Sequence, residues 1–470
     1  MQIQEFISRI LSRFGFEPTH DQQQALEVFG RFLADRSDRC VMVLRGSAGT
    51  GKTSLAAAMV ATLQSLGQKL QLMAPTGRAA KVFSVHCHLP ASTIHRRIYR
   101  RKSIAGSFNL NDNLFHNVLF VVDEASMVSS RPSGEAVFGS NSLLDDLLQY
   151  VYSGQNCRLL LIGDTAQLPP IGEEESPALR SQVLEAYGLR VYQQDLGEVV
   201  RQRLGSGILW NATRLRALIT HDEVTQLPKI RFQGFADIVT MPGAEIVESI
   251  ASSYSRVGED ETMVITRSNK RANIYNIGIR NTVLDREEEL SRGDRLMVVR
   301  NKYLSDDQPV GFIANGDRAE VVAVHNFREL YGFHFADVTL RFPDYDNFEL
   351  TSTAILDTLH SDAPALTSEQ SQQLFERVMD DYADLPRKAD RLSALKGDAY
   401  YNALQIKFAY AVTCHKAQGG QWSHIYLDQG YMTDDMLTPD YIHWLYTAFT
   451  RATEKLFLVN WPPTQTESNG

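Results

Sequence analysis

Cysteine is scarce. The 470 residues hold four, Cys40, Cys87, Cys157 and Cys414, with no C-x-x-C pair. That excludes a disulfide framework and a cysteine zinc site and fits a reducing, cytoplasmic setting. His86-Cys87-His88 has no second ligand cluster to complete a metal site. Long apolar runs are missing too: none approaches the length of a membrane span. The start, Met1-Gln2-Ile3-Gln4-Glu5, lacks a basic stretch followed by an apolar one, so no secretory signal is expected. Positive charge is in deficit, with a net charge of −9. This excludes a chain coated in cations but not a local patch that binds nucleic acid. One such patch is present: Arg96, Arg97, Arg100, Arg101 and Lys102. It reads either as a solvated helix end or as a phosphate contact.

What the chain does have is Gly46-Ser47-Ala48-Gly49-Thr50-Gly51-Lys52-Thr53 between the apolar run Val41–Leu44 and an Ala-rich helical stretch. Strand, glycine-rich loop and helix in that order form a phosphate-binding P-loop. The glycines let backbone N–H groups turn inward, and the helix N-terminus adds partial positive charge. Gly46, Ala48, Gly49, Thr50, Gly51, Lys52, Thr53 and the following Ser54 are the expected nucleotide-binding residues. Lys52 is expected to reach the β- and γ-phosphates, and Thr53 to ligate Mg²⁺.

The chain is too long for one core and is expected to hold about three or four domains or subdomains. Strand candidates Val41–Leu44, Leu70–Ala74, Val118–Val122 and Arg158–Ile162 are nearly continuous apolar runs. Such runs suit parallel strands covered on both faces, in a doubly wound α/β domain. Ser92 to His116 and Ser129 to Ser142 interrupt this pattern. From Met263 the α/β character returns; 293–346 is strand-like and turn-punctuated, suggesting a small antiparallel barrel. Ser361 to Asn402 is polar and expected to be helical and exposed; Phe408 to Val459 resumes α/β character; Pro462 to Gly470 reads as a disordered tail.

Further chemistry follows the loop. Asp123-Glu124 ends a strand of the same domain. Asp123 can hold Mg²⁺ and Glu124 can take the proton of an attacking water. Gln167, in Gly163-Asp164-Thr165-Ala166-Gln167-Leu168, can sense a γ-phosphate or belong to a tight turn. Arg201 and Arg451 are candidate arginine fingers.

These segments occur in order with Ala74-Pro75-Thr76-Gly77-Arg78-Ala79-Ala80, Thr93-Ile94-His95, Thr413-Cys414-His415-Lys416-Ala417-Gln418-Gly419 and Tyr446–Ala452. Together they resemble the motifs of superfamily 1B helicases, the RecD/Dda-like branch, over residues 15 to 460. Asp123-Glu124-Ala125-Ser126-Met127 is closer to the RecD form than to the Pif form.

The resemblance implies an ATP-dependent DNA helicase, moving 5′→3′ on single-stranded DNA, with RNA helicase or non-unwinding translocase as alternatives. The implied fold is α/β: two RecA-like P-loop NTPase domains, with a small pin insertion in the first and an SH3-like β-barrel insertion in the second. The first domain is placed at 1–195, with the pin at about 97–117. The second occupies 196–292 and 406–462, the barrel and helical insertion 293–405, and the tail 463–470.

The resemblance also assigns Gln22, in Thr19-His20-Asp21-Gln22, to the adenine base. Lys52, Thr53, Asp123, Glu124, Gln167, Arg201 and Arg451 match the family's nucleotide-handling positions; Gln418 and Gly419 couple that site to the DNA track. Pro75, Thr76, His95, Thr413, His415 and Lys416 match segments lining the track; Arg97 joins them from the basic patch, and Phe108 or Phe115 is the base-stacking residue of the pin. Cofactors are then ATP and Mg²⁺, and partners single-stranded DNA and DNA forks, with no membrane and a monomeric protein.

Overall fold

The computed structural model describes residues 3–101, 108–132, 142–199, 205–219, 226–304, 308 and 310–467. In the first domain the strands are β1 (Cys40–Gly46), β2 (Lys69–Ala74), β3 (Ala91–Thr93), β4 (Tyr99–Arg101), β5 (Phe108–Leu110), β6 (Val118–Val122), β7 (Arg158–Gly163) and β8 (Arg190–Leu196). Six of them form one sheet in the order β3-β2-β6-β7-β1-β8, and every pairing is parallel. Val41 to Leu44 and Phe120 to Val122 are completely buried, because helices cover both faces. The carboxyl ends of β1, β6 and β7 therefore open on one edge, where ligands bind in such sheets.

The pin region is a separate antiparallel hairpin of β4 and β5. Its tip, 102–107, lies outside the described residues, as do 133–141 of the second irregular insert and the Phe108 side chain. Phe115 is not a wedge. It packs edge-on against Phe120 of β6 with ring centroids 5.9 Å apart, under the Arg97 guanidinium at 5.9 Å.

The second domain repeats the parallel plan with β9 (Ile238–Met241) and β10 (Thr262–Thr266) before its interruption. The interruption comprises β11 (Arg295–Val298), a two-strand ladder of β12 (Lys302–Tyr303) and β13 (Phe312–Ile313), then β14 (Arg318–Leu330), β15 (Phe333–Phe342), β16 (Phe348–Ile355) and β17 (Leu404–Phe408). After it come β18 (Ala411–Thr413), β19 (Trp422–Asp428) and β20 (Ala452–Val459). The sheet order is β18-β10-β19-β20-β9, and β11-β14-β15-β16-β17 close into a barrel.

The barrel is longer than the turn-rich stretch at 293–346 indicated. Its closing strand, β17, ends at Phe408, beyond the expected boundary at 405, and pairs parallel with β16. Helices Ser368–Asp381 and Lys388–Gly397 are not merely exposed: Leu374, Val378 and Leu395 pack on Phe333, Phe335 and Ile355. The tail is ordered through Glu467. Gln465 is buried, Trp461 Nε1 donates to its carbonyl at 3.3 Å, and Thr466 bridges Ile230. Burial of Trp461 supplies the apolar anchor that a purely polar tail lacks.

Candidate nucleotide site and nucleic-acid cavity

Gly51 caps the helix Lys52–Ser65 with φ +79°, a left-handed conformation that glycine adopts without steric cost. This turn aims the helix N-terminus at the loop it follows. Lys52 Nζ donates to the Ser47 carbonyl at 3.1 Å, and Thr50 Oγ1 donates to the same carbonyl at 2.8 Å. Ser54 is exposed one residue beyond Thr53.

Gln22 joins the helix start to the P-loop. Its Oε1 accepts Thr19 N–H at 3.0 Å, completing a capping box, while its Nε2 donates to Thr50 O at 2.9 Å. One bond at each end of the amide braces the P-loop, and a second N–H and a second lone pair remain.

Asp123 and Glu124 follow β6. Burial, then the neighbouring Glu124 carboxylate, pushes the Asp123 carboxyl up to about 7, against the pull of Lys52. Glu124 sits at φ +53°, sparsely populated for a residue with a side chain, and its N–H donates to Asp123 Oδ1 at 2.9 Å. A half-buried carboxylate that feels the charge of Lys52, with Thr53 next to that lysine in the chain, is a donor set that suits a magnesium–nucleotide.

The loop after β7 is held by the second domain. Tyr446 Oη donates to Asp164 Oδ2 at 2.6 Å and accepts the P-loop N–H of Ala48 at 2.8 Å. Leu168 N–H donates to Thr447 Oγ1 at 2.8 Å, Gln418 Nε2 donates to Leu168 O at 2.7 Å, and His443 Nδ1 donates to Ala166 O at 2.9 Å. Ala166 and Leu168 are buried in the second domain's core. Gln167 Oε1 is buried with no hydrogen-bond partner among the described residues. The helix Gly207–Ile219 leans over the P-loop: Arg216 donates to Ser47 Oγ, and Leu209 sits against Gly49.

Of the two expected arginine fingers, one falls within the described residues. Arg201 lies outside the described residues. Arg451 is buried in its own domain, donating to Gly420 O and Thr447 O at 3.1 Å each.

A cavity of about 540 Å³ lies where the two α/β domains and the barrel meet. Thr76, His95, His415, Lys416 and Gln418 line it, while Pro75, Thr413 and Arg97 do not. Arg97 is turned toward Phe115, and Arg100 is paired with Asp112 at 2.7 Å; Lys102 and the Arg101 side chain lie outside the described residues. Burial drives the His95 imidazole down to about 4 and the Lys416 ammonium down to about 8. Lys416 also donates to Asn315 of the barrel. Gly419, at φ +74°, backs onto Thr76: a Cβ there would lie 2.9 Å from the Thr76 Oγ1. The residues sequence reading passed over, Asp164, His443, Thr447 and Arg216, are polar positions whose roles arise only from the apposition of two domains.

Fold and site define a P-loop nucleotide-binding protein with paired RecA-like domains. Residues 19–229 match a family model described as an AAA domain, and 408–459 match the UvrD-like helicase C-terminal domain. The ATP-dependent RecD2 DNA helicase of Deinococcus radiodurans is 34% identical over 131 residues, 28% of this chain and 16% of that protein. The ATP-dependent DNA helicase PIF1 of Trypanosoma brucei brucei is 33% identical over 91 residues, 19% of this chain and 9% of that one. The matches thus span a sixth or less of these relatives' length. A crystal structure of the Bacteroides Pif1 helicase with ADP-AlF3 and ssDNA aligns over 97% of this chain and 95% of that one, at 13% identity and a TM-score of 0.47. Over these stretches the chain is similar to the RecD2 and PIF1 helicases.

Proposed function

We propose that this protein is an ATP-dependent DNA helicase that steps 5′→3′ along single-stranded DNA as a monomer and opens forks. One observation carries the reading. The Gly163–Leu168 loop is tied to the P-loop through Tyr446 and to Gln418, whose neighbour Gly419 abuts Thr76 in the cavity. A change at the nucleotide therefore has a short, packed route to the strand.

In this reading Lys52 neutralises the β- and γ-phosphates, and Thr53 with Asp123 holds Mg²⁺, which supplies charge stabilisation when bound. Glu124 takes the proton of the attacking water, and Gln167, with its buried free Oε1, orients that water. Arg201 and Arg451 meet the developing charge; for Arg451 this requires release from the Gly420 and Thr447 carbonyls as the domains close. Thr76, His95, His415 and Lys416, which line the cavity, contact strand phosphates and make binding nearly independent of sequence.

The test is ATP turnover alone, with single-stranded DNA, with single-stranded RNA, and with 5′-tailed and 3′-tailed duplexes. Stimulation by DNA and unwinding from the 5′ tail alone is the expected result. Preference for RNA or for the 3′ tail would overturn the substrate or the direction, and no stimulation would overturn the cavity's role.

A further inference from the structure

Trp422, at the start of β19, is almost wholly buried, and its indole N–H donates to no group among the described residues. Two guanidiniums stand by its ring. Arg78, from the first domain, lies 6.0 Å from the ring centroid, and Arg318, the first residue of the barrel's β14, lies at 5.6 Å. All three residues line the inter-domain cavity. The Nε–H groups of both arginines are also buried and without partners among the described residues. A buried donor left unmatched is destabilising, so three in one place call for an acceptor.

The charges point the same way. Burial and the proximity of Arg78 both disfavour the Arg318 cation. The carboxylates nearest to Arg78 stand off, Asp344 at 3.8 Å and Glu261 at 3.9 Å, and neither lines the cavity. Charge-assisted pairs close to about 2.7–2.9 Å when they form fully. Asp146, the one carboxylate among the cavity-lining residues, accepts from Tyr99 Oη at 2.7 Å. Arg78 is further fixed by donating to Gln421 O at 3.2 Å.

We propose that Arg78, Arg318 and Trp422 form a binding site for one backbone phosphate of the strand, shared by the three domains. The site rests on the reading that the cavity holds single-stranded DNA. It assigns the barrel a direct grip on the strand: the phosphate accepts from both guanidiniums and the indole, and so draws the barrel and the first domain together across the second.

The probe is an oligo-dT series in which one phosphate at a time is replaced by a neutral methylphosphonate, bound to the full chain and to Arg318→Gln and Trp422→Phe variants. The expected result is one linkage whose neutralisation weakens binding roughly tenfold in the unsubstituted protein and not at all in Arg318→Gln. The salt dependence of Arg318→Gln is expected to flatten by about 0.7 in log–log slope, one phosphate's worth. Trp422→Phe, which keeps the ring and loses the donor, is expected to weaken binding with the slope unchanged. Equal sensitivity of Arg318→Gln and the unsubstituted protein at every linkage, with equal slopes, would overturn the site while leaving the cavity reading intact. Failure of the unsubstituted protein to bind any oligonucleotide would overturn the cavity reading and the site with it.

Discussion

The hydroxyl of Tyr446 accepts the backbone N–H of Ala48 at 2.8 Å, so a side chain of the second domain occupies a donor of the phosphate-binding loop. The same hydroxyl donates to the buried Asp164 at 2.6 Å. In the proposed reading, nucleotide phosphates and Tyr446 compete for one amide. Tyr446→Phe is expected to tighten binding of a fluorescent ADP about 2- to 10-fold, the worth of one net hydrogen bond, and to lower stability by about 1–3 kcal/mol because Asp164 loses a donor. Unchanged or weaker ADP binding would show that the hydroxyl supports the loop rather than blocking it.

Lys52→Ala is expected to reduce ATP turnover at least about 100-fold while single-strand binding persists, since Lys52 contacts the P-loop and not the cavity lining. Glu124→Gln is expected to bind ATP and fail to hydrolyse it. Single-turnover measurements separate the two, and normal hydrolysis by the Gln variant would remove Glu124 as the base.

The pH dependence of strand binding is expected to follow Lys416. Burial lowers its ammonium from 10.5 to about 8. The charged form is the one a phosphate favours, so affinity is expected to hold below pH 8 and to fall as pH rises through and beyond it, by up to tenfold per unit. Lys416→Arg keeps the charge throughout and is expected to flatten the profile. Fluorescence anisotropy from pH 7 to 9.5 reads both, and identical profiles would exclude Lys416 as the titrating contact.

Asp294 anchors the barrel to the second domain. It is fully buried, paired with Arg280 through two bonds of 3.0 and 2.9 Å, and accepts from Arg286 and Tyr410 as well. Asp294→Ala is expected to cost about 3–5 kcal/mol in urea unfolding, because two cations are left without their counter-charge. A loss below about 1 kcal/mol would mean that water reaches the site.

Gly419→Ala is expected to depress DNA-stimulated turnover far more than basal turnover. The added methyl meets Thr76 across the domain interface, and the backbone conformation there is left-handed. Equal losses in both activities would place the effect in the nucleotide site alone.

Much of this was legible because it is local. A P-loop needs a glycine at a positive φ, a lysine and a hydroxyl in fixed succession, and Gly51-Lys52-Thr53 carries them within three residues. The apolar runs of β1, β6 and β7 announce buried parallel strands because both faces must be covered. Charge is harder to place. The basic run at Arg96–Lys102 reads either as a solvated helix end or as a phosphate contact, and the structure adds that Arg97 covers Phe115 and Arg100 pairs with Asp112. Gln22 carries a motif role in the sequence, and only the structure shows that it also ties Thr19 to Thr50.

What the sequence by itself determined is therefore the succession of elements and the chemistry that sits within a single loop, since neighbours along the chain set backbone geometry directly. Only the tertiary structure decided which polar groups are already satisfied and which are left open. Arg78, Arg318 and Trp422 are far apart in the chain and come together where three domains meet. Tyr446 reaches Ala48 across 398 positions of sequence. No local pattern encodes such pairs, because each hydrogen bond depends on how separately folded layers pack against one another.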